Sequence, residues 1–296
     1  MQREYPPGMT LHGTVAAVVT PLRDGGKRLD EDAIGGLAEF VAAGDCDGVL
    51  VAGTTGEGIL LGLDERRALT EAWLQAAPEG LAVAVHAGAQ TTADSVALAQ
   101  HAAQAGAAAV AVIGPPYFAF DDAELEAHFA AVLAACAPTP AYLYEFSART
   151  GYVVAPTLVE RLRDAHPNLK GMKVSDRSFA EVEPYLGLGL DVFVGSEPLI
   201  PEAMAAGATG AVSGLASAFP ELVAAVVADP TPEGGRTLAA ARKALAVAPS
   251  TPGLKRVLQR RGVAISTDVR APLRGLTTDE ERAVDGVAER LTKAPV

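Results

Sequence analysis

The chain of 296 residues is rich in apolar side chains and acidic overall, with 49% hydrophobic residue types and a formal net charge of -12. This apolar content excludes a disordered chain, and the acidic balance argues against a protein that binds nucleic acid by neutralising phosphates. The length is sufficient for one large domain or two ordinary ones, with a sizeable core.

Cysteine and histidine spacing predicts neither a disulfide framework nor a metal site. The two cysteines, Cys46 and Cys136, form no CxxC pair, and the five histidines contain no HxH or HExxH spacing. The segment from Met1 to Pro7 has no apolar signal core, and no stretch reaches the roughly eighteen apolar residues of a membrane span. We therefore expect a soluble, cytoplasmic protein with no membrane partner and no nucleic-acid partner.

Short Val-rich runs alternate with Ala-rich amphipathic stretches roughly every 25 to 30 residues, which is the pattern of repeated βα units. The runs predict eight parallel strands: Gly13 to Val19, Gly48 to Ala52, Ala82 to His86, Ala109 to Ile113, Ala141 to Tyr144, Leu169 to Val174, Asp191 to Val194 and Gly210 to Ser213.

Helical patterns lie between these runs, for example Asp30 to Ala43, Asp64 to Ala77, Thr92 to Ala105, Asp121 to Ala135 and Pro156 to Asp164. Asp64, Thr92 and Asp121 suit helix starts, and Gly106 suits a helix end. No GxGxxG follows the first strand, so an α/β fold of the closed (β/α)₈ TIM-barrel type is favoured over a doubly wound sheet. Further helical patterns predict a C-terminal helical extension over 218–296, after a barrel over 1–217.

A parallel barrel gathers its reactive groups at the carboxyl ends of the strands, because the following loops meet at one mouth. Lys173 ends the sixth predicted strand. A lysine amine held partly out of water loses its proton more easily and can attack a ketone to form an imine. The alternative for an isolated lysine is an ordinary solvated side chain.

Other strand ends bring hydroxyl and phenol groups to the same mouth. The segment Gly53–Glu57, GTTGE, has glycines that let backbone amides approach an anion, and Thr54 and Thr55 can donate hydrogen bonds to a carboxylate. Its alternative interpretation is a tight turn that caps a helix, with Glu57 ordering the loop. Tyr144 ends the strand before Lys173 and can move protons during imine formation, unless it is a core tyrosine.

Two loop residues complete the set of candidates. Arg149 follows Tyr144 in a loop from which a guanidinium group can hold a carboxylate, although a solvated arginine is the alternative. Tyr117 follows Gly114-Pro115-Pro116, and it can enter a site, contact another subunit or cover the barrel rim.

Together these residues resemble the dihydrodipicolinate synthase and N-acetylneuraminate lyase family. The likeness rests on GTTGE, on a Tyr-x-x-x-x-Arg-Thr-Gly segment from Tyr144 to Gly151, and on Lys173, in this order and spacing. It covers nearly the whole chain. The resemblance implies a (β/α)₈ barrel with C-terminal helices, class I aldolase chemistry on pyruvate without metal or organic cofactor, and a homo-oligomer, either a dimer or a tetramer.

The resemblance also implies a role for each candidate residue. Lys173 would form the imine, Thr54 and Thr55 would hold the pyruvate carboxylate, and Tyr144 would relay protons with Thr55 and with Tyr117 of a neighbouring subunit. The pyruvate pocket would be lined by the backbone of two further residues, Gly195 and Val212. Arg149 would hold a carboxylate of the aldehyde partner.

One departure from the family leaves the second substrate open. Where the synthases usually have Tyr-Asn-x-Pro, this chain has Tyr144-Glu145-Phe146-Ser147. Arg149 favours a carboxylate-bearing aldehyde, as in 4-hydroxy-tetrahydrodipicolinate synthesis. Glu145 favours a polyhydroxy partner, as in 2-keto-3-deoxy sugar acid aldolases or dehydratases, because a carboxylate accepts hydrogen bonds from hydroxyls. A non-catalytic 2-keto acid binding protein is the alternative from another class.

Overall fold

The computed structural model describes residues 11–176 and 178–293. The segment from Met1 to Pro7, used in the sequence argument, lies outside the described residues. In chain order the strands are β1 (Gly13–Ala17), β2 (Leu22–Arg23), β3 (Arg28–Leu29), β4 (Gly48–Val51), β5 (Ala82–His86), β6 (Ala109–Ile113), β7 (Ala141–Glu145), β8 (Leu169–Val174), β9 (Asp191–Val194) and β10 (Gly210–Ser213).

Eight of these strands close into a parallel barrel in the order β1-β10-β9-β8-β7-β6-β5-β4. The predicted (β/α)₈ barrel is confirmed, and five of the eight predicted strands have the observed bounds. The remaining strands, β2 and β3, form a small antiparallel hairpin that the sequence analysis did not predict. Two residues a strand are too few to produce a readable alternation of polar and apolar side chains.

The helices surround the barrel and continue beyond it. They are α1 (Ile34–Ala43), α2 (Leu63–Ala76), α3 (Thr92–Ala105), α4 (Asp122–Cys136), α5 (Ser147–Thr150), α6 (Pro156–Ala165), α7 (Phe179–Leu186), α8 (Ile200–Ala205), α9 (Pro220–Ala228), α10 (Pro232–Leu245), α11 (Ser250–Arg260) and α12 (Thr278–Lys293). The last helices form the predicted C-terminal extension. Within the described ranges, none of the helices combines the length and apolar character that crossing a bilayer requires.

Helix ends follow local capping chemistry, with small shifts from the predicted starts. Asp121 caps α4 by accepting a hydrogen bond from the amide of Glu124 at 2.9 Å. The cap of α3 is Thr91 rather than Thr92. Gly106 ends α3 in the left-handed region at φ 90°, as its position predicted.

Side chains of each strand alternate between the barrel interior and the helical layer. The interior carries mostly small residues, and Tyr142 and Phe193 meet edge to face there with ring centroids 5.8 Å apart. The Tyr142 hydroxyl accepts a hydrogen bond from the amide of Leu11 at 3.0 Å. These contacts fill the lower part of the interior, so larger polar side chains at the carboxyl ends of the strands face the open mouth.

Candidate active site

Lys173 and Tyr144 lie side by side at the mouth of the barrel. They are register partners on the adjacent strands β8 and β7. The Lys173 Nζ atom lies 4.3 Å from the centre of the Tyr144 ring, and only 7% of Lys173 is exposed. The tyrosine is also buried. The pair therefore places an amine over an aromatic face in a site largely shielded from water.

Gly195, which follows β9, leaves the room that the Lys173 side chain occupies. A Cβ atom at this position would overlap the Ser175 hydroxyl and lie 3.1 Å from Cε of Lys173. A glycine here therefore leaves space first for the Ser175 side chain and then for the Lys173 side chain beside it. Val212, the other predicted pocket residue, is buried in the barrel interior on β10.

The GTTGE loop brings one threonine to the tyrosine. The Thr54 hydroxyl lies 3.4 Å from the Tyr144 hydroxyl, and either group can be the donor. The resemblance implied a proton relay of Tyr144 with Thr55 and Tyr117, and this relay stays a prediction; the Thr55 hydroxyl lies beside Gly214. Neighbouring residues of a loop point in different directions, and sequence spacing could not tell which threonine faces the phenol.

Glu57 anchors this loop to the C-terminal helices. Its Oε1 atom accepts a hydrogen bond from Lys255 Nζ at 2.7 Å, and its Oε2 atom accepts one from the amide of Arg270 at 2.6 Å. Glu57 and Lys255 are both buried, and burial lowers the pKa of Lys255. The sequence analysis expected Glu57 to order the loop but missed Lys255, because no local pattern links residues 198 positions apart.

His86 is a second residue that the sequence analysis passed over. Its ring meets the Tyr144 ring edge to face, with centroids 6.0 Å apart, and its Nε2 atom is buried without a hydrogen-bond partner in the described structure. Arg66 donates to the His86 and Gly88 carbonyl oxygens. Burial, with the charges of Arg66 and Lys173, lowers the pKa of His86 to about 3. The imidazole is therefore neutral and packs as a rigid neighbour of the tyrosine.

The segment after β7 extends the aromatic contacts towards solvent. Phe146 stacks on Tyr144 with ring centroids 6.1 Å apart and an interplanar angle of 25°. The Arg149 guanidinium lies 5.6 Å from the centre of the Phe146 ring. Arg149 is exposed, so its charge is available at the rim of the mouth.

Glu145 lies on the other side of the same strand. Tyr144 faces the barrel interior, and the alternation of a strand directs the next side chain towards the helical layer. The Glu145 Oε2 atom accepts a hydrogen bond from the amide of Val154 at 2.8 Å. The structure thus does not bring this carboxyl group together with Lys173 and Tyr144, as its predicted contact with substrate hydroxyls would require.

Tyr117 does not reach the Lys173 site of its own chain. Its side chain is 84% exposed, its φ is 88°, and its ring meets that of Phe118 at 5.0 Å. A tyrosine with little cover in its own chain is free to contact another molecule.

The site can support imine chemistry with protein groups. Lys173 has an amine of the kind that forms imines, and the hydroxyls of Tyr144 and Thr54, 3.4 Å apart, lie close enough to exchange a proton. Among the described residues, there is no group of three or more His, Cys, Asp or Glu side chains that could hold a metal ion.

Comparisons with known proteins show that this barrel protein is an enzyme of the lyase class. The model of the Dihydrodipicolinate synthetase family matches residues 10–291. The chain therefore belongs to the dihydrodipicolinate synthetase family, as the resemblance predicted.

Two curated relatives carry different activities. A 4-hydroxy-tetrahydrodipicolinate synthase of Synechococcus sp. is 32% identical over 287 residues, which are 94% of this chain and 94% of the relative. An N-acetylneuraminate lyase of Rhizobium meliloti is 35% identical over 206 residues, which are 69% of this chain and 68% of the relative. The relatives support an aldolase or lyase of the Schiff-base class and leave the particular reaction unresolved.

A solved structure shows the same fold. It is a prophage protein from E. coli K12 that belongs to the dihydrodipicolinic acid synthase family, determined in complex with pyruvate. The TM-score is 0.89 at 24% identity, over 97% of this chain and 100% of that one.

Proposed function

We propose that Lys173 forms an imine with pyruvate, and that the enzyme condenses pyruvate with an aldehyde or cleaves a 2-keto acid to pyruvate. The activity it most resembles is that of 4-hydroxy-tetrahydrodipicolinate synthase. The observation that carries the proposal is the buried Lys173 amine, 4.3 Å from the centre of the Tyr144 ring at the barrel mouth. Membership of the family supports it.

The reaction follows from the chemistry of these groups. The Lys173 amine attacks the keto carbon to form a carbinolamine, and Tyr144 donates the proton with which the hydroxyl leaves as water. The protonated imine then accepts electrons, so the pyruvate methyl group loses a proton and an enamine forms. The enamine carbon attacks the aldehyde, and water releases the product from the lysine. The proposed cycle uses no metal or organic cofactor.

The loop residues are proposed to bind the pyruvate carboxylate. Thr54 and Thr55 offer hydroxyls beside the glycines of GTTGE, Gly195 lies beside the lysine, and Val212 lies in the apolar barrel interior. The contact at 3.4 Å makes Thr54 the first partner of Tyr144 in the proton path.

Covalent trapping tests the proposal. The protein is incubated with pyruvate, reduced with borohydride and measured by intact mass, and we expect a gain equal to one reduced pyruvate per chain. Absence of an adduct would favour the other class of function, a 2-keto acid binding protein without catalysis. Consumption of pyruvate in the presence of a series of aldehydes then identifies the second substrate.

A second candidate function is the aldol cleavage or dehydration of a 2-keto-3-deoxy sugar acid. The similarity to an N-acetylneuraminate lyase favours it. Glu145 gives it no support in this structure, because its carboxyl group contacts the backbone of Val154. Release of pyruvate from sugar acids, with no consumption of carboxylate-bearing aldehydes, would establish this alternative.

Arg149 provides a specific prediction about the aldehyde. We expect Arg149→Ala to raise the KM for a carboxylate-bearing aldehyde by about tenfold to a hundredfold, because one charge-assisted hydrogen-bonding partner is lost. Trapping of pyruvate should stay unchanged, since Arg149 lies at the rim beyond Phe146. Arg149→Lys, which keeps the charge and loses the planar fork, serves as the matched variant. An unchanged KM in both variants would remove the role of Arg149.

The exposed Tyr117 leads us to propose a homo-oligomer in which this tyrosine reaches the site of a neighbouring subunit. Its backbone lies in the left-handed region at φ 88°, which is uncommon for a residue other than glycine. Sedimentation at micromolar concentration should then give a dimer or tetramer. A monomer under these conditions would exclude the shared site.

A further inference from the structure

Two carboxyl groups lie buried together behind the strands that carry the site residues. Glu145 at the end of β7 is 1% exposed, and Asp176, just after β8, is 5% exposed. Asp176 Oδ1 accepts hydrogen bonds from the Ser147 amide at 3.1 Å and from the Ser147 hydroxyl at 2.7 Å. The two carboxyl groups thus bind the two ends of segment 147–154.

One carboxyl oxygen of this pair has no donor. Glu145 Oε2 accepts the hydrogen bond from Val154, whereas Oε1 is buried without a hydrogen-bond partner in the part of the chain that the structure describes. A buried ionised oxygen without a donor is costly, and a second carboxylate beside it adds repulsion. A proton on Oε1 removes both costs, because a neutral acid can donate towards Asp176.

The groups that face Glu145 include no positive charge within the described residues. They are Asp176 after β8, Tyr152 in the segment itself and Tyr185 on α7. Burial raises the pKa of both phenols, Glu145 raises both further, and Asp176 also raises that of Tyr185. Burial first, and then the Asp176 charge, raises the pKa of Glu145 to about 8, although the Val154 and Ser147 amides act in the opposite direction.

We propose that Glu145 is a neutral acid at neutral pH and, paired with Asp176, acts as a positioning residue for segment 146–154. The segment carries Phe146, which stacks on Tyr144, and Arg149 at the rim. The assignment of that rim to the second substrate rests on the proposed function, while the protonation state does not.

A protonated Glu145 has hydrogen-bonding groups similar to those of the residue that the family pattern places at this position. The synthases usually have an asparagine here, which offers one acceptor oxygen and a donor amide. A protonated carboxyl group likewise offers one acceptor and one donor, whereas an ionised carboxylate only accepts. The Val154 amide uses the acceptor, and a proton on Oε1 would be available to the neighbouring Asp176 carboxyl group. Glu145 can therefore replace an amide only while it keeps its proton.

Two further hydrogen bonds hold the segment in place. The Tyr185 hydroxyl donates to the Val154 carbonyl at 2.8 Å, and the Tyr152 hydroxyl donates to the Pro115 carbonyl at 2.7 Å. Ionisation of Glu145 would place two negative charges beneath a segment with no compensating donor on Oε1. We expect the amides of 146–154 to exchange faster with solvent once that proton is lost.

Infrared spectroscopy of the whole protein tests the protonation state without any assay of activity. Wild type should show the carbonyl stretch of a protonated carboxyl group at pH 7, and the band should disappear with a midpoint near pH 8. Glu145→Gln should lack this band. Asp176→Asn keeps an acceptor for Ser147 but removes the negative charge, so it should move the midpoint to lower pH. A wild-type spectrum identical to that of Glu145→Gln at pH 7 would overturn the proposal.

Thermal unfolding supplies a second readout. The folded pKa of Glu145 is raised above its unfolded value, so wild type should lose stability as pH rises from about 4.5 to about 8. Glutamine does not titrate. The Tm of Glu145→Gln minus that of wild type should therefore grow across this window and stay constant above it. A difference independent of pH would contradict the proposal, and hydrogen exchange of residues 146–154, corrected for the intrinsic rate, should follow the same midpoint.

Discussion

Replacing Lys173 with alanine will abolish covalent capture of pyruvate and lower turnover by at least about a thousandfold, because the amine at the Tyr144 face is removed. We expect no mass gain after incubation with pyruvate and borohydride, and no consumption of pyruvate with any aldehyde. Any residual rate would come from substrate binding and from the hydroxyls of Tyr144 and Thr54. Intact mass and initial rates, measured on the same preparations, check both parts.

A matched control lies on the same strand. Lys170 is exposed on β8 and faces away from the barrel mouth, so Lys170→Ala should keep the full pyruvate adduct and near wild-type turnover. Lys173→Ala should retain a folded barrel, which circular dichroism and Tm would show. An adduct of undiminished yield in folded Lys173→Ala would mean that another amine is the nucleophile, and the proposed function would lose its basis.

The second large effect concerns stability. Lys255→Met should lower the free energy of unfolding by about 3–5 kcal/mol, because it leaves the Glu57 carboxylate buried and unpaired. Lys255 is fully buried and contacts both Glu57 and the Asp268 carbonyl. Denaturant unfolding measures the loss. Since Glu57 also binds the Arg270 amide, the GTTGE loop should become more mobile in this variant.

Two further variants distinguish the stability contribution of the buried Glu57–Lys255 ion pair from that of an exposed ion pair. Arg67 forms an ion pair with the exposed Asp64 at 3.0 Å, and Arg67→Ala should cost less than about 1 kcal/mol. The double variant Glu57→Gln with Lys255→Met should recover part of the loss, because no buried charge is left unpaired. If Lys255→Met cost no more than Arg67→Ala, the buried ion pair would not stabilise the attachment of the C-terminal helices.

The outline of the fold was readable from the sequence because its signals are local. Val-rich runs, caps such as Asp121 and the stop at Gly106 each depend on a few neighbouring residues, and eight βα repeats define a closed barrel. The hairpin β2–β3 and the one-turn helix α5 were missed. Elements of two to four residues contain too few positions to show a period.

The sequence predicted those site residues that lie at the carboxyl ends of strands. Lys173 and Tyr144 end neighbouring strands, so closure of the barrel had to bring them together. Which threonine of GTTGE meets the phenol, and on which side of β7 the Glu145 carboxyl group lies, depended on loop geometry and on the alternation within that strand. His86 was dismissed because its burial and its contact with Tyr144 exist only in the closed barrel.

The sequence by itself determined the repeat, the barrel and the position of an amine and a phenol at its mouth. Only the tertiary structure decided the partners of the buried polar groups: Lys255 beneath Glu57, Asp176 beside Glu145, and Arg66 beside His86. The reason is physical. Periodicity follows from the geometry of one element, whereas the protonation of a buried group depends on the neighbours and the loss of water that packing of distant segments produces.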